Sequence, residues 1–215
     1  MKKSIYKLIL VTIKDNKLLD QYLRFLTMCA ESGITAVQLR EKQLPYKELL
    51  AFGKAIQRVM KPFDVPLIIN DNIQLAIAIN ADGVHLGQTD GDVCAARQQL
   101  GNDKIIGLTI DSIDQLYIAN NLPINYVGIG AIFPTHNKND VPTVWGSAGL
   151  KKLSSLTHYP IVAIGGINES NAQAVMQAGA SGIAAIDAFH TAVDPMTTTK
   201  NLRHIVEGID RVQTP

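Results

Sequence analysis

Eight short apolar runs of strand character recur along this 215-residue chain, each followed by a segment with helical spacing, and this alternation restricts the fold more than any other feature. The runs are Tyr6–Ile13, Ala36–Arg40, Pro66–Asn70, Gly83–Gln88, Lys104–Ile110, Tyr126–Phe133, Pro160–Gly165 and Gly182–Phe189. The first helical segment sets Leu19, Tyr22, Leu23 and Leu26 on one stripe; the seventh does the same with Ala172, Val175, Met176 and Gly179. Gly33, Pro66, Gly101, Pro123, Pro160 and Gly179 fall where a helix should end or a strand begin. Such alternation predicts a parallel sheet, and eight units in one chain of this length predict an α/β fold closed into a (β/α)8 TIM barrel, one compact domain over residues 1–215. An open doubly wound sheet is disfavoured, because no GxGxxG turn follows the first run. Barrels of this type usually run to about 250 residues, so the loops here must be short. The exception is Pro134–Trp145, a polar connection after the sixth run that reads as a lid.

Charge narrows the function. With 20 basic and 19 acidic residues scattered in small groups, the net charge of +1 leaves no footprint for nucleic acid or for a membrane surface. No apolar stretch has the length needed to span a bilayer, and Lys7 interrupts the N-terminal run that faintly imitates a leader. Cys29 and Cys94 have neither disulfide nor zinc spacing, which fits a reducing cytoplasm. The expected partners are small molecules; self-association into a homo-oligomer is left open by the sequence.

The active sites of such barrels lie at the C-terminal ends of the strands, so polar residues there are read first. In VQLREK, alternation sets Gln38 and Arg40 on one face, with Lys42 beyond them. Arg and Lys together suit a diphosphate, one as a planar fork and the other as a mobile point charge; the competing reading is an internal ion pair with Glu41 or Asp71. Asp71 ends the third run and Asp90 follows the fourth, two carboxylates on neighbouring strands about 5 Å apart, which suits one Mg²⁺ that also takes phosphate oxygens. The competing reading makes Asp71, Asp90 or Asp92 a helix cap. Gly165-Gly166 and the backbone amides of Ile186 and Asp187 occupy the ends of the last two runs, where barrels commonly hold a phosphate. His85, inside a run, reads as a packed residue, whereas His136 lies in the lid. No nucleophile elbow or Cys/His pair points to acyl chemistry.

Taken in order and spacing, VQLREK, IIND, HLGQTD, GIGAIFPT with Lys138, and PIVAIGGI with NAQAVMQAGASGIA resemble thiamine-phosphate synthases from the second run to the eighth. The resemblance implies a transferase of thiamine biosynthesis that couples hydroxymethylpyrimidine diphosphate to hydroxyethylthiazole phosphate and releases diphosphate. Carried over by position, it implies that Gln38, Leu39, Arg40, Glu41, Lys42, Asn70, Thr109 and Lys138 hold the pyrimidine diphosphate, with Arg40, Lys42 and Lys138 acting in catalysis. It further implies that Asp71 and Asp90 hold Mg²⁺, and that Thr135, His136, Asn137, Gly166, Ile186 and Asp187 hold the thiazole phosphate.

Four positions depart from the family pattern. Thr109 and Asp111 stand where Ser and His are frequent, Asn137 replaces Thr or Ser, and Asp187 replaces Ser. A carboxylate beside a phosphate repels it unless it is paired or turned away, so Asp187 is expected to weaken thiazole phosphate binding. The competing functional readings are a thiazole tautomerase-type isomerase and a non-catalytic phosphate-binding barrel.

Overall fold

In the computed structural model, which describes residues 5–137 and 143–208, eight parallel strands pair in sequence order and close on themselves. They are β1 (Leu8–Val11), β2 (Ala36–Leu39), β3 (Leu67–Asn70), β4 (Gly83–Leu86), β5 (Ile105–Ile110), β6 (Tyr126–Ile129), β7 (Ile161–Ile164) and β8 (Gly182–Ala185). Closure is made by β1 against β8, with Leu8 opposite Ile183 and Leu10 opposite Ala185. The helices between them are α1 (Leu19–Ser32), α2 (Tyr46–Met60), α3 (Ile73–Ala78), α4 (Val93–Leu100), α5 (Ile113–Ala119), α6 (Gly146–Ser154) and α7 (Ala172–Gln177). After β8 come a four-residue helix α8 (Asp187–His190) and the longer α9 (Pro195–Gly208). No helix among the described residues is long and apolar enough to cross a membrane.

Two of the apolar runs, the sixth and the eighth, leave the sheet a full four residues earlier than the sequence suggests. The eighth was expected to be extended through Phe189, but the chain turns at Ile186, whose carbonyl accepts the amides of Phe189 (3.0 Å) and His190 (3.1 Å). These local bonds satisfy backbone groups that have left the ladder. The sixth run likewise ends at Ile129 as sheet, and its continuation through Phe133 is held by bonds to the end of β7, from Ile132 to Ile164 and from Phe133 to Gly165.

Period-two alternation sorts the strand residues into two apolar layers. Leu8, Leu10, Val37, Leu39, Ile69, Val84, Leu108, Val127 and Ile129 face outward and pack with Tyr22, Leu26, Ile56, Leu75, Leu150 and Val175 from the helices. Ile9, Val11, Ala36, Tyr126, Val162, Ala184 and Ile186 fill the barrel itself. The interior is wide enough for one large ring because its neighbours are small: a Cβ at Gly107 would lie 2.2 Å from the Tyr126 ring and 2.5 Å from His85, and one at Gly128 would lie 2.7 Å from His85. Tyr126 and His85 therefore occupy the volume that the glycines leave, and they bond to each other at 2.8 Å.

The N-terminal ends of the strands are closed by structural polar contacts. Arg97 donates to the carbonyls of Gly101 (2.8 Å), Lys104 (2.6 Å) and Pro123 (3.1 Å) and to Asn125 Oδ1 (2.7 Å), tying together the loops that enter β5 and β6. Chemistry is left to the opposite rim.

Gly107→Ala tests the interior packing. Overpacking against Tyr126 and His85 is expected to lower stability by about 2 kcal/mol or more, measured by urea denaturation. A midpoint equal to the parent's would show that the ring can move aside.

Candidate active site

Polar side chains from β2 to β5 converge at the C-terminal rim. Gln38, with 5% of its surface exposed, donates through Nε2 to Asn70 Oδ1 at 2.7 Å, bridging β2 and β3. Thr109 Oγ1 and His85 Nε2 lie 2.9 Å apart, and Gln88 Nε2 donates to the Thr109 carbonyl at 2.5 Å. His85 is packed and bonded inside the barrel, and it orients the Thr109 hydroxyl from below. Arg40 is set at the rim by its amide, which donates to the fully buried Thr12 hydroxyl at 2.9 Å.

The run Gln38–Lys42 divides by direction. Gln38 and Arg40 face the barrel mouth, whereas the Leu39 side chain belongs to the outer apolar layer and has only its backbone near the rim. Glu41 turns back toward β1 and accepts the Lys14 amide at 2.9 Å. Burial raises the Glu41 pKa, opposed by its bonds to Thr12 and Lys14. A crevice between the ends of β2 and β3 is lined by Arg40, Lys42, Asn70 and Asp71.

Asp71 is not the cap of α3; Asn72 is, accepting the Leu75 amide at 2.8 Å. Asp92, not Asp90, caps α4. Asp71 instead sits in the left-handed region, with φ of 64°, a conformation that non-glycine residues keep only where the surroundings impose it. Its pKa is raised to about 7, first by burial, then by its hydrogen bond and charge contact with Asp90, while Lys42 and Arg40 pull it back. Asp90 is fixed by the Gly87 amide, which donates to its Oδ2 at 2.7 Å. Two carboxyl groups close enough for Asp90 to raise the pKa of Asp71, with Lys42 and Arg40 pulling the other way, form an arrangement suited to one further cation. No group of three or more metal-ligating side chains exists among the described residues, and two carboxylates with room for phosphate oxygens are what Mg²⁺ ordinarily takes.

The opposite side of the mouth is built from the lid and the ends of β7 and β8. Arg40 Nη2 donates to the Asn137 carbonyl at 3.1 Å, and Asn137 Nδ2 donates to Asp187 Oδ2 at 2.8 Å. The two departures at 137 and 187 thus meet in one hydrogen bond, and the Asp187 carboxylate is paired with a neutral donor. Thr135 Oγ1 accepts the Asn137 amide at 3.3 Å, and His136 is exposed. Lys138 lies outside the described residues. Gly166, with φ of 63°, approaches so closely that a Cβ would stand 2.5 Å from the Pro134 carbonyl, so a side chain there would push the lid base away. The far end of the lid is fastened where Trp145 and Gly146 donate to Ala131 and Ile132, each at 2.9 Å.

Some residues bonded behind the rim escape a reading of strand ends. Asn171 holds the glycine turn, donating to the Gly166 carbonyl at 2.9 Å and accepting the Asn168 amide at 2.9 Å. Its signal was the NESN turn just after the glycine pair. Tyr22 and His190 carried no signal beyond an apolar stripe and a short polar turn.

The profile of the family described as thiamine monophosphate synthase matches residues 8–189. A thiamine-phosphate synthase of Chlamydia abortus is 52% identical over 207 residues, 96% of this chain and 98% of that one. One from Vibrio campbellii is 43% identical over 199 residues, 93% of this chain and 97% of that one. Among solved structures, a thiamine phosphate pyrophosphorylase from Pyrococcus furiosus superposes with a TM-score of 0.86 at 34% identity, covering 95% of this chain and 97% of that one.

The carboxyl pair generates a pH test. With its pKa raised from the ordinary 3.8 to about 7, Asp71 binds its proton more tightly when folded than when unfolded, so its contribution to stability is present at low pH and lost as pH rises toward 7. Asp71→Asn, which tolerates the left-handed backbone, is expected to be more stable than the parent at pH 8 without metal. Mg²⁺ is expected to raise the parent's melting temperature more at pH 8 than at pH 5.5, since cation and proton compete for one carboxylate, and to leave the variant unmoved. Equal Mg²⁺ shifts in parent and variant would remove Asp71 from the site.

Proposed function

Because the chain belongs to the thiamine monophosphate synthase family and is a transferase, we propose that it joins hydroxymethylpyrimidine diphosphate to hydroxyethylthiazole phosphate, giving thiamine phosphate and diphosphate, in the cytoplasm and with Mg²⁺ as its cofactor. The observation that carries the reading is the meeting of Arg40 and Lys42 with the Asp71–Asp90 pair at one side of the barrel mouth. Those charges suit a diphosphate held through one divalent ion better than they suit one another, since without a cation between them the two carboxylates repel.

Substitution at the pyrimidine methylene needs no general base, because the thiazole nitrogen attacks with its own lone pair. The difficult event is departure of diphosphate. Bound Mg²⁺ supplies Lewis-acid neutralisation of the negative charge on the leaving group. Arg40 offers a planar fork and Lys42 a point charge to the same oxygens, favouring the transition state in which charge is greatest. We assign Lys138 the same task from its place in the sequence beside Asn137.

Gln38 and Asn70 are suited to the ring. With Gln38 Nε2 donating to Asn70 Oδ1, Gln38 Oε1 remains an acceptor and Asn70 Nδ2 a donor, which matches the amino group and ring nitrogen of an aminopyrimidine. The electron-rich ring stabilises positive charge at its methylene, so the reaction proceeds dissociatively. Thr109 bounds this pocket from β5. On the acceptor side, the amides of Gly166, Ile186 and Asp187, with Thr135, His136 and Asn137 of the lid, receive the thiazole phosphate. The bond from Asn137 draws the Asp187 carboxylate sideways, which lessens its repulsion of that phosphate without cancelling its charge.

Two measurements check this reading. The purified protein, given both heterocycles, is expected to form thiamine phosphate with Mg²⁺ and none with a chelator; tight binding of the pyrimidine diphosphate without product would defeat the synthase assignment. Asp187→Ser is expected to lower KM for the thiazole phosphate by about fivefold, the worth of about 1 kcal/mol for two unit charges 4 Å apart in water. A raised KM in that variant would mean that the carboxylate helps binding.

A further inference from the structure

A directed chain of hydrogen bonds runs from the end of β1 to the end of β8 beneath the mouth. The Ile13 amide donates to the Tyr22 hydroxyl at 3.1 Å, the hydroxyl lies 2.7 Å from His190 Nε2, and His190 Nδ1 lies 2.8 Å from the Ile186 carbonyl. A carbonyl only accepts, so Nδ1 carries the proton. In neutral imidazole Nε2 is then an acceptor, and the Tyr22 hydroxyl donates to it while accepting from Ile13. Each member has one role available, which sets the tautomer.

We propose that His190, oriented by Tyr22, is a positioning residue for the thiazole phosphate half of the reaction, through its grip on the Ile186–Asp187 peptide. The peptide unit is planar, so fixing the Ile186 carbonyl fixes the Asp187 N–H on its other side. The inference rests on the reading that this amide meets the acceptor phosphate. The Ile186 carbonyl is the hub of this turn, receiving three donors, the Phe189 and His190 amides and the imidazole.

The surroundings hold the ring in place. His190 stacks on Tyr22, with ring centres 5.8 Å apart and planes at 21°, and meets Phe25 at 5.0 Å; Tyr22 is wholly buried against Phe25 and Phe52. Burial lowers the pKa of His190, with the Lys17 charge adding to it and the Ile186 carbonyl, Asp187 and Asp15 opposing. The lowered pKa favours the neutral ring, in which Nε2 accepts from Tyr22, and suits a positioning role rather than proton transfer.

His190→Phe keeps an aromatic ring and removes both bonds, whereas Tyr22→Phe removes the hydroxyl alone. In His190→Phe, KM for the thiazole phosphate is expected to rise about tenfold, the worth of one net hydrogen bond, with kcat and KM for the pyrimidine diphosphate within about twofold. Tyr22→Phe is expected to show the same split at smaller amplitude, and nitrogen-15 NMR of the parent to show neutral His190 protonated at Nδ1. An Nε2-protonated ring, an unchanged thiazole phosphate KM in both variants, or equal rises in both KM values would overturn the proposal. A parent enzyme that makes no thiamine phosphate would defeat the synthase reading instead, a result separate from the tautomer.

Discussion

The parallel pairing of β1 with β8 is the constraint on which the rest of the structure depends. Closure removes both sheet edges and forces every strand to present alternate residues to a barrel interior and to a helical coat. Leu8 and Leu10 then belong to one apolar layer, Ile9 and Val11 to the other. All eight C-terminal strand ends are brought to one rim, so residues far apart in sequence, such as Arg40 and Asn137, come within hydrogen-bonding distance.

That rim is polarised. Arg40, Lys42, Asp71 and Asp90 make up one side, where burial and the neighbouring Asp90 raise the pKa of Asp71 while Lys42 and Arg40 pull it back. The other side has the glycine turn held by Asn171 and the peptide gripped by His190, both supplying backbone groups whose direction is set from behind. The lid residue Asn137 joins the halves, since its carbonyl receives Arg40 and its amide group reaches Asp187. One loop residue thereby touches both sides of the mouth.

The eightfold alternation and the residues at strand ends were legible because they follow from periodicity and from the place of chemistry in a barrel. Gln38, Arg40, Asn70 and Asp71 needed only that rule. Direction within the run Gln38–Lys42 was less legible: Leu39 and Glu41 lie on the same stretch, yet Leu39 packs outward and Glu41 turns to Lys14. The short helix at Asp187 was read as strand because Gly182–Phe189 is apolar apart from Asp187 itself, and the turn at Ile186 rests on local bonds that this pattern does not report.

Local pattern therefore determined the number of units, their order and the candidate charges, since each depends on neighbours along the chain. Contacts between distant residues decided the rest: the pairing of Asn137 with Asp187, the raised pKa of Asp71 beside Asp90, and the bonds that orient His190. Each is a balance of burial and hydrogen bonding among groups up to 168 positions apart, as Tyr22 and His190 are, and no property of either residue in its own segment reports it.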